Sequence, residues 1–290
     1  MSYFQPRSVE AAVEILAGAP VTILAGGTDV YPILAGRNAW GARKREDVLD
    51  VSRLEECRGI EDQGEKIRLG GLTTWTDVLR ADLPPQFECL KQVAAQVGGV
   101  QIQNRGTLAG NLCNASPAAD GTPALLALDA AVELANARGR REVPLAEFLV
   151  AYRETACAQD ELLTAVLVPK RSPAVRSCFL KLGARHYLVI SIVMVAGVME
   201  VDTEGRVAAL ALSIGACSPV AQRLPELEAR LLGRAADAGL ESQVQAADFR
   251  ALQPIADCRA SDRYRGDAAF TLTRRLLAEL VQRGEEADRG

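Results

Sequence analysis

The pattern of the chain changes near residue 170, and this change constrains the fold more than any single motif. Before it, short apolar runs end in glycine pairs and alternate with helical stretches. After it come three strand-like runs, residues 178–182, 190–201 and 206–214, and then two helical stretches, 224–232 and 270–281. Strands followed by helices argue for a separate α+β unit. Lys170-Arg171-Ser172-Pro173 reads as the linker, and Asp202-Thr203-Glu204-Gly205 as a hairpin turn. In the last helix Leu272, Leu276, Leu277 and Leu280 make one apolar stripe. The polar end from Arg283 is expected to fray.

The first part is more finely divided. Ser8 is an N-cap candidate for a helix over 9–17, closed by Gly18. Residues 21–24 read as a buried strand, with a helix over 30–34 capped by Thr28 or Asp29; Pro32 is tolerated in its first turn. Further strands are expected over 48–51, 67–69 and 162–168, and a strand pair around Arg138-Gly139. Thr73 or Thr74 begins a helix to Leu79, and Leu90, Val93, Ala94 and Val97 share one helical face ending at Gly98-Gly99. Residues 101–122 lack clean periodicity and read as a long loop; loops of that length are usually functional or disordered, and the Ala, Leu, Cys and Pro content argues against disorder.

Composition limits the chemistry. There is one histidine, His186, expected to be structural or on the surface. Seven cysteines are scattered with no CxxC pair, which disfavours a zinc site or an iron–sulfur cluster held by this chain alone. Reduced thiols behaving as small buried hydrophobes suit a cytoplasmic protein. A net charge of −4 disfavours a nucleic-acid partner. No apolar run approaches the roughly 18 residues of a membrane span. Trp40 and Tyr31 read as core residues, with a partner surface or pocket as the other reading, and Arg43-Lys44-Arg45 as a solvated loop rather than a phosphate clamp.

Two segments carry the chemistry. The first, Ile23-Leu24-Ala25-Gly26-Gly27-Thr28-Asp29-Val30, runs from a strand through two glycines and a hydroxyl into a helix. Glycines let backbone N–H groups approach a phosphate, and a helix N-terminus favours negative charge. The same residues could equally make an ordinary strand–turn–helix. Neither GxGxxG nor a Walker loop is present. The second, from Asn104 to Asp120, contains Thr107-Leu108-Ala109-Gly110-Asn111, Cys113 and Ala115-Ser116-Pro117. Its hydroxyls and amides can bond phosphate or sugar oxygens, and Asp120 can accept from ribityl or ribose hydroxyls. A loop satisfied by its own side chains is the other reading.

Together, at this spacing, the two segments resemble the FAD-binding medium subunit of the molybdenum hydroxylases. That family includes carbon monoxide dehydrogenase, quinoline oxidoreductase, nicotine dehydrogenase and xanthine dehydrogenase. The likeness extends over nearly the whole chain, through Glu161-Leu162-Leu163 to Pro169 and through Phe179-Leu180-Lys181 to Arg185. The resemblance implies an α+β protein with a non-Rossmann FAD-binding fold of two subdomains, residues 1–55 and 56–170, and a C-terminal α+β domain, 171–290. It implies that Ile23 through Val30 wrap the FAD diphosphate and adjoining sugar, with Thr107 through Asn111 on the other side. Cys113 would pack against the cofactor, and Asp120 would meet its hydroxyl-rich part. Val97 and Leu163 would touch the ring region, with Lys181 a polar contact nearby.

One departure stands out: the family often has two glycines before the last residue of the second loop, and here the first is Ala109. A methyl group is tolerable there at negative φ. No cysteine-rich insert of the kind found in benzoyl-CoA-type reductase relatives is present. The resemblance further implies a large molybdenum-cofactor subunit and a small iron–sulfur subunit as partners, in a dimer of heterotrimers. This chain would take electrons from the iron–sulfur clusters and pass them to a terminal acceptor. The alternatives are a standalone FAD-dependent reductase of the cell-wall precursor type, and an assembly subunit that has lost FAD.

Overall fold

A computed structural model describes residues 2–18, 20–39 and 47–287. Trp40 and Arg43-Lys44-Arg45 lie outside the described residues. The chain begins with β1 (Tyr3–Phe4), α1 (Val9–Gly18), β2 (Thr22–Leu24), α2 (Val30–Ala39) and β3 (Val48–Asp50). Its three strands form a small parallel sheet in the order β1-β3-β2. The Ser8 hydroxyl accepts from the Ala11 N–H at 3.2 Å and caps α1. Val9, Ala12, Val13 and Leu16, at helical spacing, are buried against Leu49, Val51 and Leu54.

Next come β4 (Ile60–Asp62), β5 (Lys66–Gly70), α3 (Trp75–Arg80), α4 (Glu88–Gln96), α5 (Val100–Gln103), α6 (Leu108–Cys113) and α7 (Gly121–Ala127). They are followed by β6 (Ala131–Asn136), β7 (Gly139–Pro144), α8 (Leu145–Phe148), β8 (Leu149–Ala151), β9 (Glu154–Thr155) and β10 (Leu162–Pro169). Five strands pair antiparallel in the order β4-β5-β10-β6-β7, and β8 with β9 makes a separate hairpin. Thr74 caps α3 through a reciprocal bond pair with Asp77. The stretch expected to be a long loop, 101–122, instead carries most of α5, all of α6 and the start of α7. Each is one or two turns long, too short for a 3.6-residue period to show. Long-range bonds steady them, such as the Ala109 N–H to the Gly71 carbonyl at 3.0 Å.

The last part holds β11 (Arg176–Leu182), β12 (Val193–Val201), β13 (Val207–Gly215), β14 (Gln222–Arg223), α9 (Pro225–Leu231) and α10 (Asp262–Ala287). Its antiparallel sheet, β11-β12-β13-β14, is covered on both faces. Met194, Ala196 and Val198 of β12 join the core containing α4 and α7, while Val193, Val195 and Met199 face α10. Such a strand reads as a continuous apolar run because neither face meets water. Gly197 lets α10 approach: a Cβ there would lie 2.6 Å from Leu276 Cδ2. The four predicted stripe leucines are buried as expected. The helix is longer than its stripe, however, and continues to Ala287, where fraying was expected. Its polar first turns are anchored by Arg265, whose buried guanidinium donates to the Ala216 carbonyl at 3.1 Å and to Asp257 at 2.8 Å. Among the described residues no helix is long and apolar enough to cross a membrane.

Candidate functional site

The two glycine loops meet face to face. A Cβ at Gly26 would lie 1.9 Å from the Arg105 carbonyl oxygen, so only glycine allows this approach. Gly27 has φ +75°, a conformation that favours glycine. The Thr107 hydroxyl accepts from the Gly110 N–H at 3.1 Å and caps α6. Thr107 also bridges to Thr74, which ties the second loop to the capped end of α3. The N–H groups of Gly26, Gly27 and Thr28 donate to no protein acceptor among the described residues. Ala109 lies in the first turn of α6 and is not among the residues of positive φ, so its methyl group is accommodated without left-handed strain.

Between the loops opens a cleft of about 340 Å³. Ile23, Ala25, Gly26, Gly27, Thr28, Asp29 and Val30 line one side, and Thr107, Ala109, Gly110, Asn111 and Cys113 the other. Val97 and Leu163 are on its wall as well. Leu24 and Leu108 are not: their side chains are buried in the core, so only their backbones serve the loops. Asp120 and Lys181 are also off the wall and are bonded to each other, Nζ to Oδ2 at 2.6 Å. Ser191 donates to the other Asp120 oxygen at 2.6 Å. Burial pushes the Asp120 carboxyl up, while the Lys181 ammonium and the Ser191 hydroxyl pull it back. The Lys181 ammonium also lies 3.5 Å from the Gln96 carbonyl, so the pair sits beside the Val97 end of the cleft.

Several wall residues were not foreseen: Leu54, Cys57, Trp75, Asn114, Cys157 and Glu161. Cys57 and Cys157 come from distant parts of the chain, and no spacing connects them. Asn114 stood within the second loop, where its amide was the available signal. Glu161 is held by Arg141 through Nε at 2.6 Å and Nη2 at 2.8 Å, which keeps its carboxyl below the usual range. Cys113, expected to be buried, is exposed on the cleft, and desolvation by the protein around its sulfur pushes the thiol up to about 12. Burial lifts the half-buried Cys157 to about 11, so both thiols are neutral near pH 7. Of the other cysteines, Cys57, Cys89, Cys178 and Cys217 are buried, but Cys258 is exposed. Tyr31, expected in the core, is exposed and lies over Gly27. His186 is exposed and stacks edge-on against Tyr187 at 4.3 Å.

Backbone amides without a partner among the described residues, apolar walls and a glycine-only approach suit a ligand with an anionic group and apolar parts. The Asn111 Oδ1, buried on this wall without a partner among the described residues, is an unfilled acceptor that suits a ligand hydroxyl or N–H.

Comparison with known proteins agrees. Residues 1–171 match the FAD binding domain in molybdopterin dehydrogenase, and residues 179–280 the CO dehydrogenase flavoprotein C-terminal domain. The chain is 33% identical over 210 residues to the nicotinate dehydrogenase FAD-subunit of Eubacterium barkeri, covering 70% of each. It is 28% identical to the xanthine dehydrogenase FAD-binding subunit of Escherichia coli O157:H7, covering 97% of this chain and 96% of that one. The structure superposes on carbon monoxide dehydrogenase from Hydrogenophaga pseudoflava with a TM-score of 0.87 at 26% identity, over 96% of each chain. These matches favour a subunit of a larger oxidoreductase over a standalone reductase. The chain belongs to the FAD-binding medium subunits of the molybdenum hydroxylase family.

Proposed function

We propose that this chain holds FAD in the cleft between its glycine loops and acts as the electron-transfer subunit of a molybdenum hydroxylase. The observation that carries the reading is the contact of Gly26 with the Arg105 carbonyl, which brings the two loops together around free backbone amides. Ile23 through Val30 and Thr107 through Asn111 cradle the diphosphate and adjoining sugar, with Leu24 and Leu108 contributing backbone alone. Cys113, Val97 and Leu163 pack against the ligand. The Asp120–Lys181 pair beside Val97 supplies polar contacts near the ring and its hydroxyl-rich chain. Bound FAD supplies the redox chemistry. The chain positions the cofactor and shields it from water.

In this reading residues 1–55 and 56–170 are the two FAD-binding subdomains, and 171–290 the C-terminal domain that closes the Val97 end. The partners are a large molybdenum-cofactor subunit and a small iron–sulfur subunit, assembled as a dimer of heterotrimers in the cytoplasm. Electrons arrive from the iron–sulfur clusters and leave to a terminal acceptor. The test is to denature the purified chain and identify the released flavin by chromatography and fluorescence. One FAD per chain is expected. A colourless chain that cannot be reconstituted with FAD refutes the reading.

A further inference from the structure

Asp29 is an awkward residue for the cofactor reading. Its carboxylate lines the cleft in the loop assigned to a diphosphate, where like charges repel. The structure shows what offsets it. Asp29 Oδ1 accepts from the Asn114 side-chain amide at 2.9 Å, and Asn114 Oδ1 accepts from the Arg153 guanidinium at 2.6 Å. The three residues form one chain of bonds from the first loop, through the second, to the β8–β9 turn. Arg153 is not on the cleft wall.

Arg153 is held in place with unusual care for an exposed arginine. It sits at φ +55°, where a residue with a side chain is strained, and its N–H donates to the carbonyl of Ala115 at 3.1 Å. Ala115 is itself left-handed, at φ +43°. The guanidinium also lies 5.9 Å from the centre of the Tyr152 ring. Two strained residues, Ala115 within the second loop and Arg153 outside it, meet through one backbone bond, and the result is to fix the Arg153 turn against Asn114. Strain of this kind persists where the surroundings over-determine it, and it marks functional positions.

We propose that Arg153 is a positioning residue for the cofactor: acting through Asn114, it turns the Asp29 carboxylate away from the diphosphate and staples the first loop to the second. The relay offsets the one negative charge on that loop and holds the loops closed on the ligand. This inference rests on the cleft binding FAD, and the experiment separates the two claims.

The full chain is stripped of flavin and titrated with FAD by fluorescence quenching, and with ADP, which carries the diphosphate without the flavin. Arg153→Met is expected to weaken both ligands about tenfold. The melting temperature of the flavin-free chain should stay near that of the wild type, because the relay is solvent-accessible and contributes little without ligand. Arg153→Lys should recover part of the loss. Adding Asp29→Asn to Arg153→Met should recover most of it, since the carboxylate that needed offsetting is gone. Unchanged affinity in Arg153→Met, beside a wild type that binds FAD, overturns the relay and leaves the cofactor reading standing. Loss of affinity together with a lowered flavin-free melting temperature, and no recovery from Asp29→Asn, also overturns it, because Arg153 would then be scaffold only. A wild-type chain that takes up no FAD overturns both.

Discussion

Gly26→Ala is the sharpest perturbation the structure offers. A Cβ at this position would lie 1.9 Å from the Arg105 carbonyl oxygen and 2.7 Å from its carbon, whereas real Cβ contacts stay above 3.0 Å. The obstacle is backbone, so no side-chain rotation relieves it, and the loops must part by about 1.1 Å. Overpacking of this kind costs about 1–3 kcal/mol in the ligand-free chain. On the proposed reading, a shift of that size would also break hydrogen bonds made to a diphosphate from both loops at once. Losing one or two charge-assisted bonds costs about 3 kcal/mol, or about two orders of magnitude in affinity. The assay is a fluorescence titration of the flavin-free variant with FAD, with thermal melting alongside. Gly36→Ala is the control, because a Cβ there meets nothing within 4 Å. FAD affinity in Gly26→Ala within about threefold of the wild type would refute the reasoning, since 1.4 kcal/mol already amounts to tenfold.

Two further outcomes follow from the same geometry. Ala109→Gly should leave FAD affinity nearly unchanged, because Ala109 is already accommodated in the first turn of α6; it should lower stability by about 0.5–1 kcal/mol through helix propensity, seen in denaturant melts. A large gain in affinity would show that the methyl group obstructs the loop after all. Glu161→Gln tests the carboxylate that Arg141 holds below its ordinary range. The Glu161 contribution is complete above the ordinary glutamate value of about 4.3 and is lost as pH falls through its lower folded value. The variant should therefore melt below the wild type near pH 7, with the gap closing in acid below about pH 4. A gap independent of pH would count against the Arg141 pairing as its cause.

Much of the site was legible because its key features are local. A glycine pair after a buried strand, a threonine that can cap a short helix, and a hairpin around Arg138-Gly139 each depend on backbone dihedrals and near neighbours. Residues a few positions apart suffice to specify them. The β12 strand was readable from its continuous apolar run and the α10 stripe from its helical spacing, both contained within one segment. The short helices of 101–122 were not, because one or two turns carry no period and their anchors, such as the Gly71 carbonyl, lie about 40 residues away.

The sequence by itself determined that two glycine loops exist, each open to a phosphate or a purely structural reading, and that the last part of the chain is an α+β unit. Tertiary structure alone decided that the loops touch through Gly26 and Arg105 and that Leu24 and Leu108 turn into the core. It also decided that Asp120 and Lys181 satisfy each other, and that Arg153 reaches Asp29 through Asn114. These contacts join residues between 39 and 85 positions apart. Such pairings follow from how sheets and helices pack, and packing is a property of the whole core rather than of any segment's own pattern.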